Sequence, residues 1–408
     1  MDPTTNPFAP GAGTRPPELA GRDGLIEAAT IAIKRTKAGK SAKSQMLLGL
    51  RGVGKTVLLN RIMEIAEREG YLTVFLEAPE NRRLAEMLVP PLKVLLFKLS
   101  GIDRARDIAN RALRALRNFA SAFDVKVGGA EISVAPADDE AASGNLEFDL
   151  PELLLRVAEA AAAAERQVFI AIDEVQYLEL EDLSALIVSI HKVGQRGLPL
   201  VVFGAGLPQL AALAGEAKSY AERLFDYPAV GPLDHHAAAS AIRDPVRREG
   251  AEIVDAALQE IVARTKGYPY FLQEWGSHAW NQAPGSPITL ADVTTASENA
   301  LRALDEGFFK VRLDRLTPRE RDYLRAMAEL GPGPHRSGDI ADILGIPVTA
   351  AAPVRSGLIR KGMVYSPAHG DTAYTVPMFD AFMRRAVPAW TAPAKAAKVP
   401  GRTRKKRN

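Results

Sequence analysis

The hydrophobic rhythm of the chain changes near residue 233. Before that point, short, mainly apolar blocks at 46–48, 71–76, 167–172 and 198–203 alternate with longer stretches of helical period at 25–37, 150–166 and 183–192. A further short strand is expected near 229–233. Strands alternating with helices predict a mostly parallel sheet covered on both faces, a three-layer α/β arrangement. From 234 to about 312 only the helical period continues. There Tyr268, Leu272 and Trp275 fall on one side of a helix and read as core.

Two regions depart from this pattern. In 77–150, apolar residues over 84–99 have helical spacing but are interrupted by Pro90-Pro91. A helix over 102–119 carries Arg104, Arg111, Arg114 and Arg117, either as a solvated face or as a phosphate-contacting one. Residues 123–134 alternate about Gly128-Gly129 and read as a β-hairpin, and 136–144 as an acidic mobile loop. No chemistry follows from this insert. In 313–388 a helix at 318–330, capped by Thr317, precedes a short helix at 337–344. A third at 348–361 carries Arg355, Arg360 and Lys361. Two short strands within 362–376 and a closing segment at 377–386 complete three helices and a β-wing, the winged-helix pattern. The expected organisation is a disordered leader at 1–17, a core at 18–233 with its insert, a helical lid at 234–312, a winged helix at 313–388 and a disordered basic tail at 389–408.

Composition narrows the function classes. The 408 residues are 47% hydrophobic and 25% charged, ordinary for a globular protein. There is no cysteine, which excludes disulfides, thiolate metal sites and a cysteine nucleophile, and fits a reducing compartment such as the cytoplasm. The start has neither a charged region nor an apolar one of the kind that makes a signal peptide, and no apolar run is long enough for a membrane span. Net charge is +3, yet residues 395–408 alone hold seven Lys/Arg and no acid, leaving the body with 45 basic and 49 acidic side chains. Broad nucleic-acid binding by the body is therefore excluded, and phosphate attraction must come from the tail or a local patch.

The chemistry concentrates in Gly49-Leu50-Arg51-Gly52-Val53-Gly54-Lys55-Thr56, between the apolar block 46–48 and a helix expected to start near Lys55, with apolar residues at Val57, Leu58, Ile62 and Ile65. The spacing is that of a P-loop. Gly49, Gly52 and Gly54 let the backbone curl so that successive N–H groups, including those of Val53, Lys55, Thr56 and Val57, face one anion. Lys55 can reach the β- and γ-phosphates of ATP, and Thr56 can hold Mg²⁺. Asp173-Glu174 follows the apolar block 168–172, and acids at the C-terminal end of such a strand lie where a parallel sheet places its ligand. Asp173 would hold the metal's shell and Glu174 would polarise the attacking water. His235-His236 are adjacent, so their rings splay apart and do not chelate from one helix face.

With these motifs, Arg223 and Gly267-Tyr268-Pro269, the chain resembles bacterial AAA+ ATPases of the archaeal-type, origin-initiator-like group, which shades into the STAND switch ATPases. The resemblance runs from about residue 17 to 385. It implies the P-loop NTPase AAA+ sheet order 5-1-4-3-2, a helical lid and a winged-helix partner domain. It also implies that Gly21 and Arg22 cover the adenine, that Pro269 belongs to a lid motif touching the nucleotide, and that Arg223 reaches a neighbour's γ-phosphate in a homo-oligomer. Two departures stand out: Gly204-Ala205-Gly206 offers no polar side chain at the sensor-1 position, and no arginine follows Gly267 where sensor 2 is expected. Both favour a slow switch over a motor. The expected function is an ATP hydrolase coupling nucleotide state to a DNA-binding winged helix. The alternative is a STAND-like, nucleotide-locked scaffold that recruits proteins and hardly hydrolyses.

Overall fold

The computed structural model describes residues 1–391 except 12, 81 and 126–141. It forms two compact units, Met1–Leu301 and Arg302–Asn408. The hairpin expected over 123–134 falls largely outside the described residues, as do most of the 136–144 loop and the basic tail. No helix among the described residues is long and apolar enough to cross a membrane.

The first unit is built on five parallel strands: β1 (Ser44–Leu48), β2 (Leu72–Glu77), β3 (Val168–Asp173), β4 (Leu200–Gly206) and β5 (Phe225–Asp226). Their order is β2-β3-β4-β1-β5, the expected order read from the other edge. Both β3 and β4 are buried at every position, because helices cover both faces and a parallel sheet needs that cover. On one face lie α1 (Asp23–Lys37) and α2 (Lys55–Arg68), whose Ala29, Ile33, Leu58 and Ile62 pack on Phe169 and Phe203. On the other lie α3 (Leu84–Ser100), α4 (Arg106–Ala122), α5 (Leu146–Ala163), α6 (Leu180–Gln195), α7 (Leu210–Ala217) and the short α8 (Ala221–Leu224).

Three expectations needed correction. α3 runs unbroken through Pro90-Pro91. Each interior proline costs about 3 kcal/mol. The helix nonetheless buries Leu84, Leu88, Val89, Leu92, Leu95, Leu96 and Leu99, at about 1.5–3 kcal/mol each. The last core strand lies at 225–226, not 229–233. Beyond it a single bridge joins Ala229 to Leu48, and Pro228 and Pro232 have no N–H to extend a ladder. The leader is also not free over its first residues. Phe8 is buried against Gly276, Asn6 Nδ2 donates to Ser277 O at 3.1 Å and to Asn281 Oδ1 at 2.9 Å, and Trp280 Nε1 donates to Asp2 O at 2.8 Å. A mean composition poor in apolar residues does not register one well-seated aromatic.

The lid is helical, as expected: α9 (His235–Arg248), α10 (Asp255–Thr265), α11 (Pro269–Gln282) and α12 (Leu290–Ala303). In the second unit a π-helical turn (Leu304–Phe309) and α13 (Lys310–Asp314) precede α14 (Pro318–Leu330), β6 (His335–Arg336), α15 (Ser337–Leu344), α16 (Val348–Arg360), β7 (Val364–Tyr365), β8 (Asp371–Tyr374) and α17 (Phe379–Ala386). The strands form an antiparallel sheet, β6-β8-β7. Thr317 caps α14 in a reciprocal box with Glu320.

Candidate active site

The glycine loop leaves β1 beside the tip of β4, where Gly49 N donates to Gly206 O at 3.1 Å. Gly49 admits no side chain, since a Cβ there would lie 2.2 Å from Val230 O. Gly52 and Gly54 have φ of 82° and 89°, values that favour glycine, and Gly54 caps α2. The first bond of the helical ladder is Leu58 N to Gly54 O at 3.0 Å, so the amides of Lys55, Thr56 and Val57 remain at the open, positive end. Val53 is buried beneath the loop, and its carbonyl accepts from Arg22 Nη2 at 3.0 Å. The same Arg22 nitrogen donates to Gly231 O at 2.5 Å. Arg22 is thus buried under the loop it supports, and burial lowers its pKa.

Lys55 is buried, and its Nζ donates to Leu50 O at 3.0 Å. Burial pulls its pKa down, while the carboxylates of Glu174 and Asp173 hold it up and Arg51 opposes them. Thr56 Oγ1 donates to Asp173 Oδ2 at 2.5 Å. Burial raises the Asp173 pKa, the Thr56 bond lowers it and the Glu174 charge raises it again. The strand tip and the helix start therefore bring a hydroxyl and a carboxylate together, the hard-oxygen pair that suits Mg²⁺. Glu174 follows in a left-handed conformation, φ 53°, with its amide donating to Asp173 Oδ1 at 2.8 Å.

The lid meets this loop directly. Pro269 opens α11, and the next residue, Tyr270, donates its amide to Gly52 O at 3.1 Å. Gly267, at φ 71°, passes so close to Leu233 that a Cβ would lie 2.2 Å from its carbonyl oxygen. Gly21, at φ 66°, lies similarly against α9, 2.7 Å from Ala237 Cβ by the same measure.

Arg223 stands apart from all of these. It lies on α8, exposed, and its side chain has no hydrogen-bond or ion-pair partner among the described residues. Phe225, two residues on, pairs with Ser44 at the start of β1, whereas the glycine loop follows the other end of that strand. Five residues of strand separate the two levels by about 17 Å, farther than an arginine side chain reaches.

Two residues of the site escaped the sequence reading. Arg51 Nη2 donates to Tyr177 Oη, and its Nε is buried without a partner. Gln176 Nε2 donates to the Glu174 carboxylate, and its Oε1 accepts from Leu207 N at 3.0 Å. The available signal was the polar residue inside the turn Val175–Tyr177, directly after the two acids.

Comparison with known proteins agrees with this geometry. Residues 18–203 match the family model of the AAA ATPase domain, and residues 306–383 match a domain of unknown function, DUF8462. An uncharacterised HTH-type transcriptional regulator of Methanocaldococcus jannaschii is 22% identical over 354 residues, which cover 82% of this chain and 80% of the relative. The structure of a Walker-type ATPase of Pyrococcus abyssi superposes with a TM-score of 0.57 at 17% identity, covering 91% of this chain and 97% of that one. Residues 18–203 are thus similar to an AAA ATPase domain, and the five-stranded parallel sheet, glycine loop and strand-tip acids have the P-loop AAA+ fold.

Proposed function

We propose that the protein binds ATP with Mg²⁺ and hydrolyses it slowly, as a switch that acts on its lid and on a DNA-binding second unit. The observation that carries this reading is the Thr56–Asp173 contact at 2.5 Å beside buried Lys55. Few reasons other than a phosphate and its metal exist for placing those three groups at the mouth of a glycine loop. Lys55 would exchange its bond to Leu50 O for the β- and γ-phosphates. The amides of 52–57 would cradle the rest, and Thr56 and Asp173 would hold Mg²⁺, which neutralises charge on the phosphates. Glu174 would orient and polarise water for in-line attack, so catalysis is positioning and electrostatics. Arg22 and Gly21 support the loop and the lid approach, and Pro269 starts the helix that reports on the loop through Tyr270. Arg223 would serve the nucleotide of a neighbouring copy.

The second unit fits a winged helix, with α16 as the helix offered to DNA and β7–β8 as the wing. The HTH-type regulator among its relatives supports DNA as the partner. Of the cations on and after α16, Arg355 is tied to the wing through Thr372 Oγ1 at 2.7 Å and Ser366 Oγ and Asp371 O at 2.8 Å. Lys361 is paired with Glu320 at 2.7 Å. That leaves Arg360 and the basic tail as the phosphate contacts, and it is also the observation that favours the rival reading, a scaffold that docks proteins. One series separates them: phosphate release against protein concentration for wild type, Lys55→Ala and Glu174→Gln, with and without DNA at several salt concentrations. The switch reading expects Lys55→Ala to lose ATP binding and Glu174→Gln to keep it without turnover. It also expects DNA affinity to fall with salt along a slope that flattens when 395–408 are removed. ATP binding without turnover and without any DNA response supports the scaffold.

A further inference from the structure

We propose that Gln176 is the positioning residue for hydrolysis: its amide fixes the carboxylate of Glu174 and fills the polar role for which strand β4 has no side chain. The assignment rests on Glu174 being the water-polarising group. Gln176 uses both ends of its amide. Nε2 donates to Glu174 Oε2, and Oε1 accepts from Leu207 N at 3.0 Å, at the tip of β4. The orientation is forced. Reversing the amide would set its oxygen against a carboxylate and its NH₂ against a backbone N–H, two repulsive contacts in place of two bonds.

The tip of β4 is shaped around this side chain. A Cβ on Gly206 would lie 2.8 Å from Gln176 Oε1, so any side chain there would displace the amide. A Cβ on Gly204 would lie 2.3 Å from Met46 Sδ and 3.0 Å from Val175 Cγ2, so that position is closed as well. Of the two glycines that deprive β4 of a polar group, Gly206 is thus the one that makes room for a polar group arriving from the turn after β3. Glu174 needs such a partner. It stands at φ 53°, a conformation its own residue type does not favour, and its carboxylate projects from a three-residue turn. Anchoring Oε2 to a backbone amide through Gln176 leaves Oε1 of Glu174 as the oxygen available to a water. Gln176 is neutral and transfers no proton; it acts through Glu174.

Removing a hydrogen bond to a charged group that is needed in the transition state lowers a rate by roughly 10–100-fold. The test measures ATP affinity in binding experiments and kcat by phosphate release for wild type, Gln176→Ala, Gln176→Glu, Gly206→Ala and the Gln176→Ala/Gly206→Ala pair. Gln176→Ala is expected to lower kcat by roughly 10–100-fold while ATP affinity stays within about threefold. Gln176→Glu should fare no better, because it faces one carboxylate with another. Gly206→Ala keeps every hydrogen-bonding group and should lower kcat while ATP affinity holds, with a smaller effect once Gln176 is absent, the remainder coming from the Cβ contact with Leu210 Cδ2 at 2.9 Å. It also carries the test if Gln176→Ala loses its fold. Wild-type kcat in both Gln176→Ala and Gly206→Ala overturns the assignment and leaves Glu174 in place. Equal losses of affinity and kcat overturn it too, since they indicate a structural role. Wild-type protein that binds ATP but releases no phosphate at any concentration overturns the hydrolytic reading, and this assignment with it.

Discussion

The backbone amide of Tyr270 donates to the carbonyl of Gly52 at 3.1 Å, so the first turn of lid helix α11 is joined to the glycine loop itself. Two residues before α11, Gly267 makes the seating possible by passing Leu233 with no room for a Cβ and at a φ of 71°. Gly267→Ala should therefore force the lid off the loop. A left-handed alanine costs about 1 kcal/mol and the backbone collision more. ATP affinity is expected to fall about tenfold or more, while β-sheet content in circular dichroism is unchanged. Unaltered affinity would mean the lid does not report on the loop.

The amino-terminal strap offers a second handle on the same helix. Phe8 lies across Gly276, and a Cβ at 276 would come within 2.7 Å of the Phe8 ring. Phe8→Ala removes a buried aromatic, a change worth about 3 kcal/mol in a well-packed site. The expected result is a lower melting temperature for the first unit and faster amide hydrogen exchange along 269–282. Gly276→Ala should reproduce the exchange change from the other side of the contact. Exchange confined to residues 1–9 would mean that α11 holds its position without the strap.

What was legible in the sequence follows the range of the interaction. The glycine loop is written in eight consecutive residues, and Asp173-Glu174 adjoin the block that forms their strand, so local order was enough to find them. The Thr56–Asp173 contact needed the sheet order, which the family resemblance supplied and the structure bears out. Gln176 was invisible because its function depends on Gly206 and the amide of Leu207, at the tip of another strand. Phe8 was missed because its partner glycine lies in the lid. The unbroken α3 was missed because proline propensity is a local signal and the leucine burial that outweighs it is not.

In the second unit, Glu320 closes the cap of α14 and accepts from Lys361 Nζ at 2.7 Å, joining that cap to the end of α16. Burial pushes its carboxyl up, but Lys361 and the amide and hydroxyl of Thr317 pull it down further, leaving it below its ordinary value of 4.5. A carboxyl depressed on folding stabilises the folded state above its unfolded pKa and loses that contribution as pH falls through the folded one. Glu320→Gln should thus destabilise this unit by about 1–2 kcal/mol at neutral pH. Hydrogen exchange along 318–330 should show the difference between variant and wild type closing as pH drops below 4.5. A difference that does not narrow as pH falls would assign the loss to shape, not charge.

Arg223 carries the case for assembly. It is exposed on α8, about 17 Å of strand away from the loop level of its own chain, and no carboxylate neutralises it among the described residues. An arginine that completes a phosphate site from a neighbouring copy is worth on the order of 10³-fold or more in rate. The specific activity of wild type is therefore expected to rise with protein concentration, while that of Arg223→Ala stays flat and low with ATP affinity unchanged. Mixing the two loss variants makes the geometry explicit. Arg223→Ala retains an intact glycine loop and Lys55→Ala retains an intact arginine, so a mixture can assemble one complete site from two defective chains. Recovery of turnover on mixing, absent from either variant alone, is the expected outcome. A mixture as inactive as its components, alongside a wild type whose specific activity is independent of concentration, would return Arg223 to the status of an ordinary surface cation.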